Sequence, residues 1–252
     1  MPKTTTNQYN DPTHNYLQYW DGRDYENAAE EVAIKRLLDK HHFKHAVDVG
    51  GGFGRLCVVL EQFADTVTLA EPSEKQLSIA ADFLKDHPRI DRQLLQADDL
   101  KFPDQSVDLV TMVRVMHHLP DPTGEFAEIH RILTDDGWFI LEVANVVHAL
   151  NCLKYMLRGK PLPTTPVDIR SAEHQTADSI AFVNHNPHTV IDQLRTIGFE
   201  VRATLSVSNF RSPLLKKIFA TPVLLGAEKI TQKLLAPLYF GPSIFFLCKK
   251  SK

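Results

Sequence analysis

Between about His45 and Val143, short β-branched runs alternate with helical repeats, a pattern that predicts a parallel sheet covered by helices. The first run, His45-Ala46-Val47-Asp48-Val49, is closed by glycines. Behind it Leu56, Val59, Leu60 and Phe63 recur at i, i+3, i+4 and i+7, so one helical face is expected to pack on the sheet. A second strand is read over residues 66–70. Beyond Glu71-Pro72, Ser73 and Gln76 have the spacing of a capping box, and Leu77, Ala80, Ala81 and Leu84 supply the buried stripe of the next helix. A third strand ends in Gln93-Leu94-Leu95-Gln96, and a fourth over 107–113 is entered through the turn Pro103-Asp104-Gln105-Ser106. Asp121 reads as an N-cap with Pro122 at the first helical position, and Asp136-Gly137 is expected to turn the chain into a fifth strand over 138–143.

The rhythm changes beyond Asn145. Residues 146–186 carry prolines at 161, 163 and 166 and no clear strand, which predicts a lid-like insertion over the sheet. Order resumes at Asn186-Pro187, a cap and first helical residue, with Val190, Ile191, Leu194 and Ile197 on one face and Gly198 ending the helix. Strands are read over 199–207 and 243–248, the last two being antiparallel neighbours. Between them, residues 212–240 form a helical insertion broken at Pro222 and Pro237. In its core, Val223, Ala227, Ile230 and Leu234 form an apolar stripe opposite Lys216, Lys217, Lys229 and Lys233, a basic amphipathic helix pair. Such a pair can roof a pocket, lie on an anionic membrane surface or cap the core. Residues 1–42 read as an N-terminal helical cap on a single domain spanning 1–252.

Composition narrows the class. A chain of 252 residues with 43% hydrophobic positions has material for one core. No window approaches the roughly 18 apolar residues of a transmembrane segment, and the polar start lacks a signal-peptide core. Cys57, Cys152 and Cys248 are odd in number and form no CxxC, so neither a disulfide framework nor a cysteine zinc site is expected. A reducing, cytoplasmic location follows. The net charge of −3 hides a division at Asn145: residues 1–145 hold 14 Lys and Arg against 25 Asp and Glu, giving −11, while residues 146–252 hold 14 against 6, giving +8.

The candidate chemistry sits after the strands. Gly50, Gly52 and Gly54 lie between the first strand and the first helix, where missing side chains let backbone approach a nucleoside-type ligand; a tight turn needing positive φ explains the same spacing. A dinucleotide site competes, but GxGxxG fails at Arg55 and Cys57. Glu71 closes the second strand, where a carboxylate can accept from both hydroxyls of a ribose. A second acid after the third strand, Asp98 or Asp99, could accept from the exocyclic amine of adenine.

Together these stretches resemble the class I S-adenosylmethionine-dependent methyltransferases, in particular the small-molecule group of ubiquinone/menaquinone-biosynthesis methyltransferases. The likeness runs through Val47–Leu56, Leu69-Ala70-Glu71-Pro72-Ser73, the turn before Val107-Asp108-Leu109-Val110, and Val115-Met116-His117-His118-Leu119-Pro120-Asp121-Pro122. It continues through Glu128–Leu133, Gly137-Trp138 and Glu142. The resemblance implies a Rossmann-like three-layer α/β sandwich with a seven-stranded, mostly parallel sheet in the order 3-2-1-4-5-7-6, its last strand antiparallel. It implies S-adenosylmethionine as cofactor, bound by the half 43–145: the methionine part against Asp48, Gly50, Gly52 and Gly54, the ribose on Glu71 beside Pro72, the adenine near Asp98 or Asp99, and backbone at Val113-Arg114 on the rim. Residues 187–252 are then the substrate-side half. Lys101 stands where the family usually has proline.

Methyl transfer from a sulfonium needs alignment, exclusion of water and, for some acceptors, removal of a proton. His118, just past the fourth strand, is the candidate catalytic base; a locally bonded, packed histidine is the alternative. Tyr16, Tyr19, Trp20, Arg23 and Tyr25 precede a helix carrying Val32, Ile34, Leu37 and Leu38, and Tyr25 or Arg23 is a candidate to touch cofactor or acceptor. His41, His42 and His45 lack an acid or cysteine at ligand spacing, so no metal is expected. The leading function is therefore methylation of a small-molecule or lipid-like acceptor, with peripheral membrane contact as one use of the basic helices. RNA methylation, suggested by the +8 segment, lacks an Asn-Pro-Pro-Tyr-like motif and an RNA-binding module. A non-catalytic nucleotide-fold scaffold is the third reading.

Overall fold

Val, Ile and Leu fill the central strands on both faces, and a sheet with two apolar faces must be covered twice. The computed structural model describes residues 20–171, 175 and 180–251. Its strands are β1 (Phe43–Val49), β2 (Ala64–Glu71), β3 (Ile90–Leu94), β4 (Val107–Met112), β5 (Leu133–Ala144), β6 (Val167–Asp168), β7 (Val183–Asn184), β8 (Phe199–Val207) and β9 (Ser243–Lys250). Seven form one sheet in the order β3-β2-β1-β4-β5-β9-β8, while β6 and β7 pair separately. In the large sheet, strand β9 runs antiparallel to both β5 and β8 and the other pairings are parallel, while β6 and β7 pair antiparallel. Counting sheet strands alone, this is the expected 3-2-1-4-5-7-6 order with the last strand reversed. The chain changes direction across the sheet between β1 and β4, where open α/β folds form a ligand crevice.

The covering helices are α1 (Asp24–Leu38), α2 (Cys57–Leu60), α3 (Glu74–Phe83), α4 (Thr123–Ile132), α5 (Ala149–Leu157), α6 (Pro187–Ile197), α7 (Pro213–Ile218) and α8 (Thr221–Leu234). One core layer joins Ile34 of α1, Leu60 of α2 and Leu224 of α8 to one sheet face. Opposite it, Phe126 and Ile129 of α4 and Leu194 of α6 pack with Phe139. Helix α6 begins and ends as its sequence predicts: Asn186 accepts from the His188 amide at 3.0 Å, and Gly198 adopts φ 110°. Among the described residues no helix is long and apolar enough to cross a membrane.

Local expectations fail where backbone demands or distant partners intervene. The helix read behind β1 contracts to the single turn α2, although Leu56, Val59 and Leu60 are buried as its stripe requires. The turn expected at Asp136-Gly137 is a bulge inside one long strand, since Val107 pairs with Leu133 but Leu109 with Trp138. The N-cap of α4 falls on Pro122, with the Asp121 carboxylate accepting from the Thr123 amide at 3.1 Å. The stretch 146–186, read without strands, holds helix α5 and the short β6–β7 ladder.

Helix α8 departs most. Its buried residues are Leu224, Glu228 and Gln232, while Val223, Ile230 and Leu234 of the predicted inward stripe face solvent. The inversion is explained by α1. The Tyr25 hydroxyl donates to Glu228 Oε2 at 2.6 Å and accepts from the Phe210 amide at 3.0 Å, and Gln232 Nε2 donates to the Ala29 carbonyl at 2.9 Å. Glu228 Oε1 also accepts from the Ser208 amide at 2.8 Å. Polar groups turn inward because the elements beneath offer unpaired donors and carbonyls. Tyr25→Phe should therefore cost about 1–3 kcal/mol in urea unfolding, the penalty for leaving buried partners unmet; a loss below about 0.5 kcal/mol would show that this contact does not hold α8 to α1.

Candidate functional site

Gly50, Gly52 and Gly54 all adopt left-handed backbone, with φ of 65°, 62° and 87°. A Cβ on Gly50 would lie 2.5 Å from Val115 Cγ2, and one on Gly54 would lie 2.7 Å from Leu84 Cδ1. The turn thus requires glycine for its own geometry. It also aims the Gly52 amide at Glu71, whose Oε2 accepts at 2.9 Å while Oε1 accepts from the Ser73 amide at 3.0 Å. Each oxygen keeps a lone pair for a further donor. Burial pushes the Glu71 carboxyl up to about 7 against the opposing pull of those two amides.

The Glu71–Ser73 bond changes the predicted capping box. Ser73 Oγ accepts from the Gln76 amide at 3.2 Å, but the returning bond to the Ser73 amide comes from Glu71 instead of Gln76. Gln76 is 1% exposed, and among the described residues neither its Nε2 nor its Oε1 has a partner. A buried amide left so costs free energy unless something else meets it.

Asp48, at the carboxyl end of β1, is also buried. Its Oδ1 accepts from the Thr111 hydroxyl at 2.6 Å and its Oδ2 from the Cys57 thiol at 3.6 Å. Burial raises its carboxyl to about 6, with Thr111, Arg55 and Cys57 pulling the other way. Beyond β3, the Asp99 carboxylate pairs with Lys101, while Asp98 is exposed on the same turn. Lys101 has φ 57°, a conformation closed to proline. Pro72 is partly buried beside Glu71. The crevice thus brings together Asp48, the glycine loop, Glu71 and Pro72, with Asp98 and Asp99 on the neighbouring turn.

A charge cluster unforeseen in the sequence joins α1 to the end of the glycine turn and to the chain beyond β4. Glu30 of α1 has no exposed side-chain surface; its Oε1 accepts from Arg114 Nε at 2.7 Å and its Oε2 pairs with Arg55 at 2.5 Å. Arg55 lies 3.9 Å and Arg114 5.0 Å from the centre of the Trp20 ring. Burial alone would raise the Glu30 carboxyl, but the two guanidiniums outweigh it and hold it below its ordinary value. Arg114 has φ 60°, and its amide donates to Glu142 Oε2 at 3.1 Å. It stands beside Val113 past the end of β4, so the rim residues named from the sequence are tied to α1. Tyr25 instead belongs to the α1–α8 interface, and Tyr16 and Tyr19 lie outside the described residues.

His118 ends a 3-10 turn, Met116–His118, past β4. Its Nδ1 lies 2.9 Å from the Ala181 carbonyl. A carbonyl only accepts, so Nδ1 carries the proton and Nε2 is the acceptor nitrogen of the neutral ring. Burial lowers the ring's pKa and keeps it neutral. His117 packs on both His118 and Phe182, and burial lowers it well below the ordinary value. His118 therefore combines the local bonding of a packed residue with the tautomer a base requires.

Residues 47–141 match the methyltransferase domain family. The chain is 30% identical over 127 residues to a ubiquinone biosynthesis O-methyltransferase of Thiobacillus denitrificans, covering 46% of this chain and 55% of that protein. It spans about half the length of the curated relatives it matches. Among solved structures, a putative S-adenosylmethionine-dependent methyltransferase of Listeria monocytogenes superposes with TM-score 0.63 at 18% identity, covering 90% of this chain and 99% of that one. The 1,6-didemethyltoxoflavin-N1-methyltransferase of Burkholderia thailandensis, with bound 1,6-didemethyltoxoflavin and S-adenosylhomocysteine, gives TM-score 0.58 at 17% identity, covering 94% of this chain and 85% of that one. The match of residues 47–141 to the methyltransferase domain family, and the fold shared with these structures, agree with what the motifs imply.

The Glu30 cluster makes a directional prediction. A carboxyl held below its ordinary 4.5 lends stability that is complete above that value and is lost as pH falls through the lowered one. Glu30→Ala strands two guanidiniums and should cost about 3–5 kcal/mol near neutrality, narrowing toward acid. Urea unfolding from pH 7 downward measures this, and a gap that stays constant or widens in acid would contradict the assignment.

Proposed function

We propose that the protein transfers the methyl group of S-adenosylmethionine, by in-line displacement, to a small-molecule or lipid-like acceptor. One observation carries the reading. Two buried carboxylates, Asp48 and Glu71, flank a left-handed glycine loop at the carboxyl ends of β1 and β2, inside the stretch that matches the methyltransferase domain. The orphaned amide of Gln76, next to the Glu71–Ser73 bond, supports an adenosyl ligand there, because such a ligand brings both donors and acceptors. Bound at this place, the cofactor supplies an electrophilic methyl on a sulfonium.

The chain's own groups bind and orient. Glu71 accepts from the ribose hydroxyls with the lone pairs its two amides leave, beside Pro72. Gly50, Gly52 and Gly54 with Asp48 receive the methionine part, and Val113-Arg114 form the rim. Asp98 is the acid offered to the adenine amine, since Lys101 already engages Asp99. His118 Nε2 accepts the acceptor's proton where one must leave. A cytoplasmic location belongs to this reading, supported by three unbridged cysteines.

Calorimetry with S-adenosylhomocysteine tests it. Glu71→Ala should weaken binding at least about tenfold, the loss of two charge-assisted hydrogen bonds. Wild-type affinity should fall as pH drops through about 7, where Glu71 takes up a proton, and the variant should lack that step. No binding at millimolar ligand, or equal affinity for both proteins, would overturn the proposal.

A further inference from the structure

Helix α5 carries no buried side chain, although Leu150, Leu153, Met156 and Leu157 make it strongly apolar; Leu150 and Leu157 are 74% and 77% exposed. Helix α7 likewise has no fully buried residue, and Leu214 and Ile218 are 65% and 62% exposed. Helix α8 has turned its polar side to the core and directs Ile230, 72% exposed, and Leu234, 69% exposed, to the outside. An arrangement for water alone would have the opposite polarity. The start of α5 adjoins the chain that follows α8: the Ala149 amide donates to the Phe240 carbonyl at 3.0 Å, and Asn145 Nδ2 donates to the carbonyls of Tyr239 and Gly241 at 2.7 and 2.8 Å.

Their charge is one-sided. Residues 148–162 and 211–240 hold eight Lys and Arg against one carboxylate, Glu228, and of the eight Lys216 is paired with Glu26 of α1 at 2.9 Å. That carboxylate is buried and bonded to Tyr25, so no acid of these segments faces outward. Lysines interleaved with protruding aliphatic side chains suit a fluid, negatively charged interface: the apolar groups sink below the headgroups and the flexible stems carry the ammonium groups to the phosphates.

We propose that α5, α7 and α8 form a docking face for an anionic phospholipid surface. The occupant is lipid rather than a second chain, because isolated aliphatic side chains on three short helices, each beside a cation, match headgroup chemistry. Helix α5 follows directly from the carboxyl end of β5, the edge of the sheet that also holds His118. Docking would therefore bring the mouth of the crevice against the bilayer, where a lipid-like acceptor resides. The docking itself does not rest on the methyl-transfer reading.

Sedimentation of the full chain with phosphatidylcholine vesicles, with and without phosphatidylglycerol, tests the face. Binding is expected only with the anionic lipid and should weaken as salt rises. Leu157→Glu with Ile230→Glu, and separately Lys229→Glu with Lys233→Glu, should each reduce partitioning at least about tenfold. All four positions are exposed, and unchanged thermal melts monitored by circular dichroism would confirm folding. Absence of binding to anionic vesicles at low salt, or equal binding by folded variants, would overturn the proposal. So would a wild-type dimer that Leu157→Glu dissociates without lipid, which would assign the face to a second copy.

Discussion

Three distant stretches of chain meet on the carboxylate of Glu30. Helix α1 supplies the acid, Arg55 extends from the end of the glycine turn, and Arg114 comes from the backbone beyond β4. A charge taken wholly out of water survives only with partners of this kind, so the turn, the β4 rim and the cap are constrained together. Arg114 shows the constraint locally. Its left-handed backbone is uncommon for a non-glycine residue, and it is held by the side-chain bond to Glu30 and the amide bond to Glu142.

Around that anchor, buried acids do two kinds of work. Glu30 is fully neutralised and stabilising. Asp48 and Glu71 are buried with neutral partners, and burial dominates, so both titrate above the ordinary carboxylate range. Such acids cost the apo protein stability as pH rises and gain from a ligand that donates to the ionised form. The acidic half of the sequence is therefore more than a solubility feature: its innermost carboxylates shape the crevice.

The strand order and helix limits were legible where local chemistry decides them, as at Asn186-Pro187 and Gly198, or along the alternating runs from β1 to β5. The glycine loop, Asp48 and Glu71 were visible because each stands at a strand end. Glu30 was not, since a charged residue on a helix reads as solvated and its partners lie 25 and 84 positions away. The face of α8 was misread for the same reason. Glu228 and Gln232 look like surface residues until Tyr25 and Ala29, each 203 positions earlier, are placed against them. Long-range polar pairing overrides a weak amphipathic pattern.

The central claim is that the crevice between the β1 and β2 ends is an adenosyl site bounded by buried acids. Amide hydrogen exchange with and without S-adenosylhomocysteine tests it most directly. The account predicts slowed exchange over residues 48–56, 71–76 and 96–100, and unchanged exchange in α6 and α8. Protection confined to other segments, or none at saturating ligand, would contradict it.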